Sequence, residues 1–574
     1  MSQTVAYVAN YYPLLGQLMH QMGLPEAVND VVGLPSQGQE VDTGTFVAGL
    51  ILNILAEQPI RLYRLTDFFR DKPMPLLFPW QPDVHAQQFD DTRAGRVLDT
   101  LWQADPQKVL STVVHRVIER YQPDRTQVHV DTTSKSFYGI YANQPDPSVP
   151  QITYGHSKDR RPDLKQLLFG VGMTSDGLLL VGEVDSGNQS DMTFNGHWIT
   201  RVREQLGLGM DEFLLYVADS AVVTTDNLGL LQAYKLEILS RLPERFALAE
   251  HLMAQAQAAR PETWEELGVI RDAQGKRAAS YRVWQTEAEL AGAVYRFLVV
   301  ASSTLDKRHL KTLDRAIAGE VAAYHRVVKA TEAQAFPERG AAEAALTQLL
   351  HSWSGMYHHL QGAVEPYEQA LPYPRRGRPR AGAVRPTATY YRLQVALVPD
   401  VAAQQRARER CGLFVLITSL VDRDHYPARF LLDTYKGQHR AEQVLRFLKS
   451  PAWVGAYCLK KPERVAALGY VVLLAAIVYT LLERHVRRAL AQPGQPPVRG
   501  LNNQPTQRPT AYAIQVILSS ILVLREVVEG HPRFRLNRPL SENQRRVLQL
   551  AGFSEAIYHL AGPAEKFTRS RQLT

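Results

Sequence analysis

Three acidic residues set the chemistry to consider. Asp131 closes residues 126–131 (TQVHVD), a stretch that alternates as a strand, with Val128 and Val130 on one face and His129 and Asp131 on the other. Asp219 follows residues 212–218 (EFLLYVA), a continuous apolar strand at whose end a charge is costly to place. Glu442 lies in a helix expected from about residue 430 to 448, where Tyr435, Glu442 and Lys449 recur every seven positions and share a face. Val444, Leu445 and Leu448 would pack beside that face. Carboxylates at strand ends and on a helix facing the sheet are the hard oxygen ligands that two magnesium ions about 4 Å apart require. Such a centre activates a water or a 3′-hydroxyl, both poor nucleophiles at neutral pH, so the chemistry would be phosphodiester cleavage. Taken singly, each residue also fits a plainer role: a strand-end acid meeting solvent or capping a turn, or one charge in a solvated helical stripe.

The surrounding pattern predicts the elements that would gather them. Residues 166–173 and 178–184 read as strands joined by a Thr-Ser-Asp-Gly turn at 174–177, a hairpin signal. A helical run at 193–206 follows, with Ser190 and Asp191 as capping candidates. After the strand ending at Asp219 come a helix at 225–234 and a short strand at 236–240 (LEILS). Three strands, helix, strand, helix, strand is the order of a mixed α/β sheet. Residues 246–411 interrupt it as an α+β insertion domain, with strand-like stretches at 280–286, 293–301 and 390–398 and helical runs at 311–331 and 341–351. The sheet resumes at 413–418 (LFVLIT). The expected organisation is a helical N-terminal region (1–122), a catalytic core in two parts (123–245 and 412–490) around the insertion, and a Pro-rich linker with a helical tail (491–574). No internal repeat is evident.

Composition bounds the partners. The 574 residues carry a net charge of +8 and 45% hydrophobic residues, ordinary for a globular protein and compatible with nucleic-acid binding. Two cysteines, Cys411 and Cys458, match no zinc spacing and no disulfide framework, which favours a reducing cytoplasm. The N-terminus has no signal-peptide pattern. Residues 465–482 (VAALGYVVLLAAIVYTLL) are 18 residues without a charge and fit two readings: a short membrane span, or a helix buried on all sides of a large protein. Context favours the buried helix.

The residues also resemble a family. Residues 154–166 (YGHSKDRRPDLKQ) match a string typical of the DDE transposases of bacterial insertion sequences, in the insertion-sequence-four superfamily and nearest its sixteen-thirty-four branch. HVDTTSKSFYG around Asp131, YVADSA around Asp219, SRLP at 240–243, GNQSD at 187–191 and YKGQHRAEQVLRFLKSP at 435–451 are similar in the same order. LILN at 50–53, LYRLTDFF at 62–69 and DDTRAGRVLD at 90–99 extend the resemblance into the N-terminal region. Several motifs in order are stronger than any one.

The resemblance implies a ribonuclease-H-like fold. The first acid then sits on the first strand, the second just after the fourth, and the glutamate on a helix after the fifth. It implies Asp131, Asp219 and Glu442 as catalytic and metal-binding residues for two magnesium ions, with manganese as a substitute. It further implies double-stranded DNA (terminal inverted repeats and target) as partner, a homodimer or higher oligomer on DNA, and a nucleoid-associated cytoplasmic location without a membrane. The family motif Y-(2)-R-(3)-E-(6)-K is filled at Tyr435, Glu442 and Lys449, but Gln438 stands where the arginine is expected, and Arg440 is the candidate substitute. Lys449 and Tyr435 would hold a DNA end. His156, Lys158, Arg160 and Arg161 form a basic stretch that either grips DNA near the metals or is a polar loop. Arg376, Arg378 and Arg380 (RGRPR) are similar to an AT-hook core or form a solvated basic loop. Trp284 fits either a stacking residue or a buried aromatic. No phosphate-binding loop for a nucleotide cofactor is present. A structure-specific nuclease on the same fold, or a catalytically silent DNA-binding relative, are the rival expectations.

Overall fold

Side-chain caps and helical apolar spacing build the first part of the chain. The computed structural model describes residues 4–33, 41–139, 141, 146–158, 161–271, 278–304, 307–332, 334–372, 382, 384–437, 444, 447–448, 459–528 and 531–560. After a short strand β1 (Val5–Val8), the helices Tyr12–Gln21, Leu24–Val32, Thr43–Ile54, Asp91–Gln103 and Pro106–Tyr121 pack together. Asp42 and Asp90 each cap a helix by accepting the N–H three residues on, from Thr45 and Arg93 at 2.7 and 2.8 Å.

The sheet begins with β2 (Gln127–Phe137), β3 (Lys165–Thr174) and β4 (Leu179–Ser186), joined antiparallel. The helix Asp191–Gln205, capped by Ser190, leads to β5 (Leu215–Val217), and the helix Thr225–Ala233 leads to β6 (Glu237–Arg241). β5 runs parallel to β2, and β6 parallel to β5. Two expectations change here. β2 runs six residues past Asp131, because its Thr- and Ser-rich continuation pairs with β3 as far as Phe137 opposite Lys165. β5 is three residues long rather than seven, since the chain reaches the ladder only at Leu215.

The chain divides into two compact units: Met1–Pro243 with Ala288–Arg296 and Ile417–Thr574, and Glu244–Glu287 with Phe297–Leu416. The second unit holds β7 (Glu265–Arg271), β8 (Ala278–Leu290) as far as Glu287, β9 (Ala293–Ser302) from Phe297 on, and a long hairpin of β10 (His358–Ala370) with β11 (Thr387–Pro399). Helices Ala247–Ala258, Lys307–Glu332, Arg339–Ser352 and Val401–Arg410 accompany them. Trp284 on β8 is half-buried, and Cys411 is a buried thiol that donates to the Ala407 carbonyl at 3.4 Å. β12 (Leu413–Thr418) closes this stretch, and in the first unit the mixed sheet reads β4-β3-β2-β5-β6.

Beyond it, the helix Pro462–Leu490 covers one face of β3 and β4. Gly469 abuts Val184 and Phe169, and Leu473 reaches Gly182. The helix is long and apolar enough to cross a membrane, yet 94% of its most apolar window is buried inside the protein. Several of its polar groups pair within the fold: Arg464 grips Asp99 through Nε and Nη2 at 2.7 and 2.5 Å, Arg484 Nε meets Asp176 at 2.5 Å, and Thr480 accepts the Leu179 N–H at 3.2 Å. It is a core helix. The opposite sheet face packs on the helix Asp191–Gln205, where Gly170 lies against Phe194 and Trp198.

The C-terminal region corrects the expectation of a purely helical tail. It carries β13 (Val498–Arg499) and β14 (Pro505–Thr506), then β15 (Leu522–Val528) and β16 (His531–Leu536), which join β1 in a sheet ordered β1-β15-β16. The β-branched and apolar run of β15 favours a central strand, and β1 supplies its second neighbour from the far end of the chain.

Candidate functional site

Strand pairing brings the first two acids together. The parallel ladder matches Gln127 with Leu215, Val128 with Tyr216 and His129 with Val217, an offset of 88 residues throughout. Asp131 and Asp219 differ by the same 88 (219 − 131), so each stands two residues beyond the last matched pair, Asp131 within β2 and Asp219 just past the end of β5. Neighbouring strands lie about 4.8 Å apart. Asp131 accepts the Thr132 N–H at 2.7 Å, and Asp219 caps the turn after β5 by accepting the Ala221 N–H at 3.0 Å. Ser240 on β6 fixes the Asp219 backbone with a hydroxyl bond to its carbonyl at 2.8 Å.

Their electrostatics follow from that proximity. Burial pushes the Asp131 carboxyl up to about 6; Lys158 and the Thr132 N–H oppose the rise, while Asp219 and Asp191 add like-charge repulsion. The Asp219 carboxyl is also raised, first by its crowded surroundings and then by Asp191, although the residue keeps access to solvent. Two carboxylates that are both costly to ionise at one place fit a hard divalent cation, which would offset both.

Beside the pair lies a polar network that the sequence did not single out as a unit. Lys158 Nζ sits 3.0 Å from Asp191 Oδ1 and donates to the Thr132 carbonyl at 3.0 Å and to the Thr132 hydroxyl. The Thr132 hydroxyl donates to Asp191 Oδ1 at 2.7 Å. Asn195 donates to the Asp191 carbonyl at 2.7 Å and accepts the Tyr216 hydroxyl of β5 at 2.8 Å. Asp191 thus does more than begin a helix. Spacing along the chain could not reveal this, because Thr132, Lys158, Asp191 and Tyr216 come from four separate segments.

Tyr435 lies on the helix Ala428–Lys436 in electrostatic range of Arg241 and Asp219, with its phenol raised mainly by burial. A Cβ added to the next glycine, Gly437, would fall 3.1 Å from Cε1 of His129 on β2, so the chain passes close over that strand. Further on, Phe447 stacks on Tyr479 of the core helix at 5.0 Å. Glu442, Gln438, Arg440 and Lys449 lie outside the described residues. Arg160, Arg376, Arg378 and Arg380 are outside them as well. Arg161 is engaged by Asp163 at 2.6 and 2.8 Å and by the Tyr138 hydroxyl at 3.2 Å. The His156 carbonyl accepts from Gln166 at 3.3 Å. Among the described residues, no group of three or more His, Cys, Asp or Glu side chains is arranged to hold a metal.

Comparison with known proteins adds little. Residues 4–115 match a domain of unknown function, DUF4277. No curated protein matches the chain. Among solved structures it is similar to the piggyBac transposase in its synaptic complex with hairpin DNA, at 10% identity and a TM-score of 0.26, over 51% of this chain and 61% of that one. The chain therefore spans about three fifths of that protein's length.

Proposed function

We propose that this chain is a DDE-type DNA transposase on a ribonuclease-H-like core, with Asp131, Asp219 and Glu442 as its catalytic acids. The observation that carries the reading is the level placement of Asp131 on β2 and Asp219 just past the end of β5, its parallel neighbour. The first strand of the mixed sheet carries one acid and the fourth ends two residues before the other, which are the stations the family resemblance implies. The ordered motifs from residue 129 to 451 support the insertion-sequence-four assignment. Of the described residues near Glu442 in sequence, Gly437 lies beside His129 and Phe447 stacks on Tyr479 of the helix that covers β3 and β4. Residues 246–411 form the insertion domain in this reading, and residues 1–122 bind the terminal repeats.

The residues fit magnesium, which would supply charge stabilisation for the attacking and leaving oxygens of a phosphodiester. Asp131 and Asp219 would supply two of the donors, each carboxylate fixed by one backbone N–H. Glu442 would be the third donor in this reading. Tyr435 and Lys449 hold the DNA end, Arg440 contacts it from a second angle, and the basic residues His156, Arg160, Arg161, Arg376, Arg378 and Arg380 lie along its flanks. The reaction is hydrolysis that frees a 3′-hydroxyl, followed by attack of that hydroxyl on a target phosphodiester. The bond to the target's leaving oxygen breaks as the new one forms. A basic protein of net charge +8 suits two DNA ends bound by a dimer or larger assembly in the cytoplasm.

The test is a joining assay with the full chain, Mg²⁺, a labelled pre-cut duplex bearing the inverted repeats that flank the gene, and a target plasmid. Joined product is expected, with D131N, D219N and E442Q each lowering it on the order of 10³-fold at unchanged duplex affinity. Cleavage without joining would instead make the chain a nuclease. Duplex binding with neither reaction would make it a DNA-binding relative.

A further inference from the structure

We infer that Lys158 and Asp191 form an inward-facing positioning pair that clamps Thr132, and through its backbone N–H the carboxylate of Asp131, rather than a contact to DNA. The inference rests on the transposase reading of Asp131. Lys158 has three oxygen partners inside the protein: Asp191 Oδ1, the Thr132 carbonyl and the Thr132 hydroxyl. That exhausts the three donors of an ammonium. Its side chain is only 23% exposed, and its own N–H is held by the Ser134 hydroxyl at 3.0 Å, which ties the Lys158 backbone to β2. A lysine kept for phosphate would present its ammonium to solvent.

Thr132 is the pivot. It is buried, and it uses every polar atom in this arrangement: N–H to Asp131, hydroxyl to Asp191, and carbonyl and hydroxyl from Lys158. Asp191 is held in turn through Asn195 and the fully buried Tyr216 of β5, three residues before Asp219. One set of bonds therefore links the two strands that carry the acids. A carboxylate displaced by as little as 1 Å loses much of its value as a metal ligand.

The experiment measures Mn²⁺ affinity of the full-length chain by paramagnetic resonance and, separately, the salt dependence of its affinity for a random-sequence 60-base-pair duplex. Loss of Mn²⁺ binding in D131N tests the parent reading. Given that loss, T132V should bind Mn²⁺ about tenfold more weakly while T132S stays near wild type, since serine keeps the hydroxyl and neither change alters charge. K158Q should leave the salt slope of duplex binding unchanged, whereas loss of a phosphate contact would lower it by about one. Thermal unfolding of each variant checks that it is folded, and the conservative T132S keeps the comparison open if T132V is not. T132V binding Mn²⁺ like wild type, or a slope reduced by about one in K158Q, would overturn the inference while leaving the parent reading standing. Intact Mn²⁺ binding in D131N would sink both.

Discussion

Asp131 and Asp219 stand level with each other, two residues past the last matched pair of a parallel β2–β5 ladder, with a constant offset of 88 along it. The relationship sets them at one level of the sheet, which neither acid's local sequence does. It also sets their cost. Two crowded carboxylates repel in the cation-free protein, and their energetics should show in stability before any DNA is added.

The Asp131 carboxyl titrates near 6 in the fold against an ordinary 3.8. Protonation therefore favours the folded state; this contribution is complete below about pH 4 and is lost as pH rises through 6. D131N should accordingly stabilise the cation-free protein at pH 7.5 by about 1–3 kcal/mol, with the advantage shrinking between pH 6 and pH 4. Mg²⁺ should raise the melting temperature of wild type and not of D131N. Calorimetry across pH, with and without Mg²⁺, checks both.

Arg203 anchors the approach to β5. Nearly fully buried, it donates to the carbonyls of Tyr234 at 2.9 Å, Gly209 at 2.7 Å, Glu212 at 2.8 Å and Lys235 at 2.5 Å. R203M should cost about 3–5 kcal/mol, because four carbonyls lose a charged donor. R203K should recover only part of that, since a point ammonium cannot reproduce the guanidinium fork. Urea unfolding of the two variants measures the difference.

The core helix makes a separate prediction. Leu473 is fully buried against Gly182, so L473A should destabilise by about 2–5 kcal/mol. D176A should cost about 3–5 kcal/mol by leaving Arg484 buried without its carboxylate. A lipid-facing helix would tolerate L473A, so a stable L473A variant would contradict this packing.

Much of the sheet was legible because its residues repeat at period two or run apolar between turn signals. β3 and β4 with their Thr-Ser-Asp-Gly turn, β12 and the Ser190 cap all lie within a residue or so of expectation. The apolar run at 465–482 did not declare its environment by itself; its polar partners Asp99, Asp176 and Leu179 come from distant segments. β1 was missed for a related reason, since its partner β15 comes from the far end of the chain, and the β15–β16 hairpin went unread within the tail expected to be helical. β7 and β10 were missed too: Gly268 interrupts the first at a register shift, and the second carries glycine, proline and glutamates. Asp219 was readable from the strand before it. Asp131 was readable as a strand residue but not as mid-strand, because β3 alone carries the strand onward. The grip of Lys158 and Asp191 on Thr132 was not readable at all, and it turns a lysine expected among DNA contacts toward the protein.

Iron-directed self-cleavage tests the central claim most directly. Fe²⁺ with ascorbate and peroxide, substituted for Mg²⁺ in the full-length chain, cuts the backbone close to wherever the ion is held. The account predicts fragments ending near residues 131, 219 and 442, suppressed by excess Mg²⁺ and absent from D131N. Cuts confined to other parts of the chain, or cuts near only one of these acids, would contradict it.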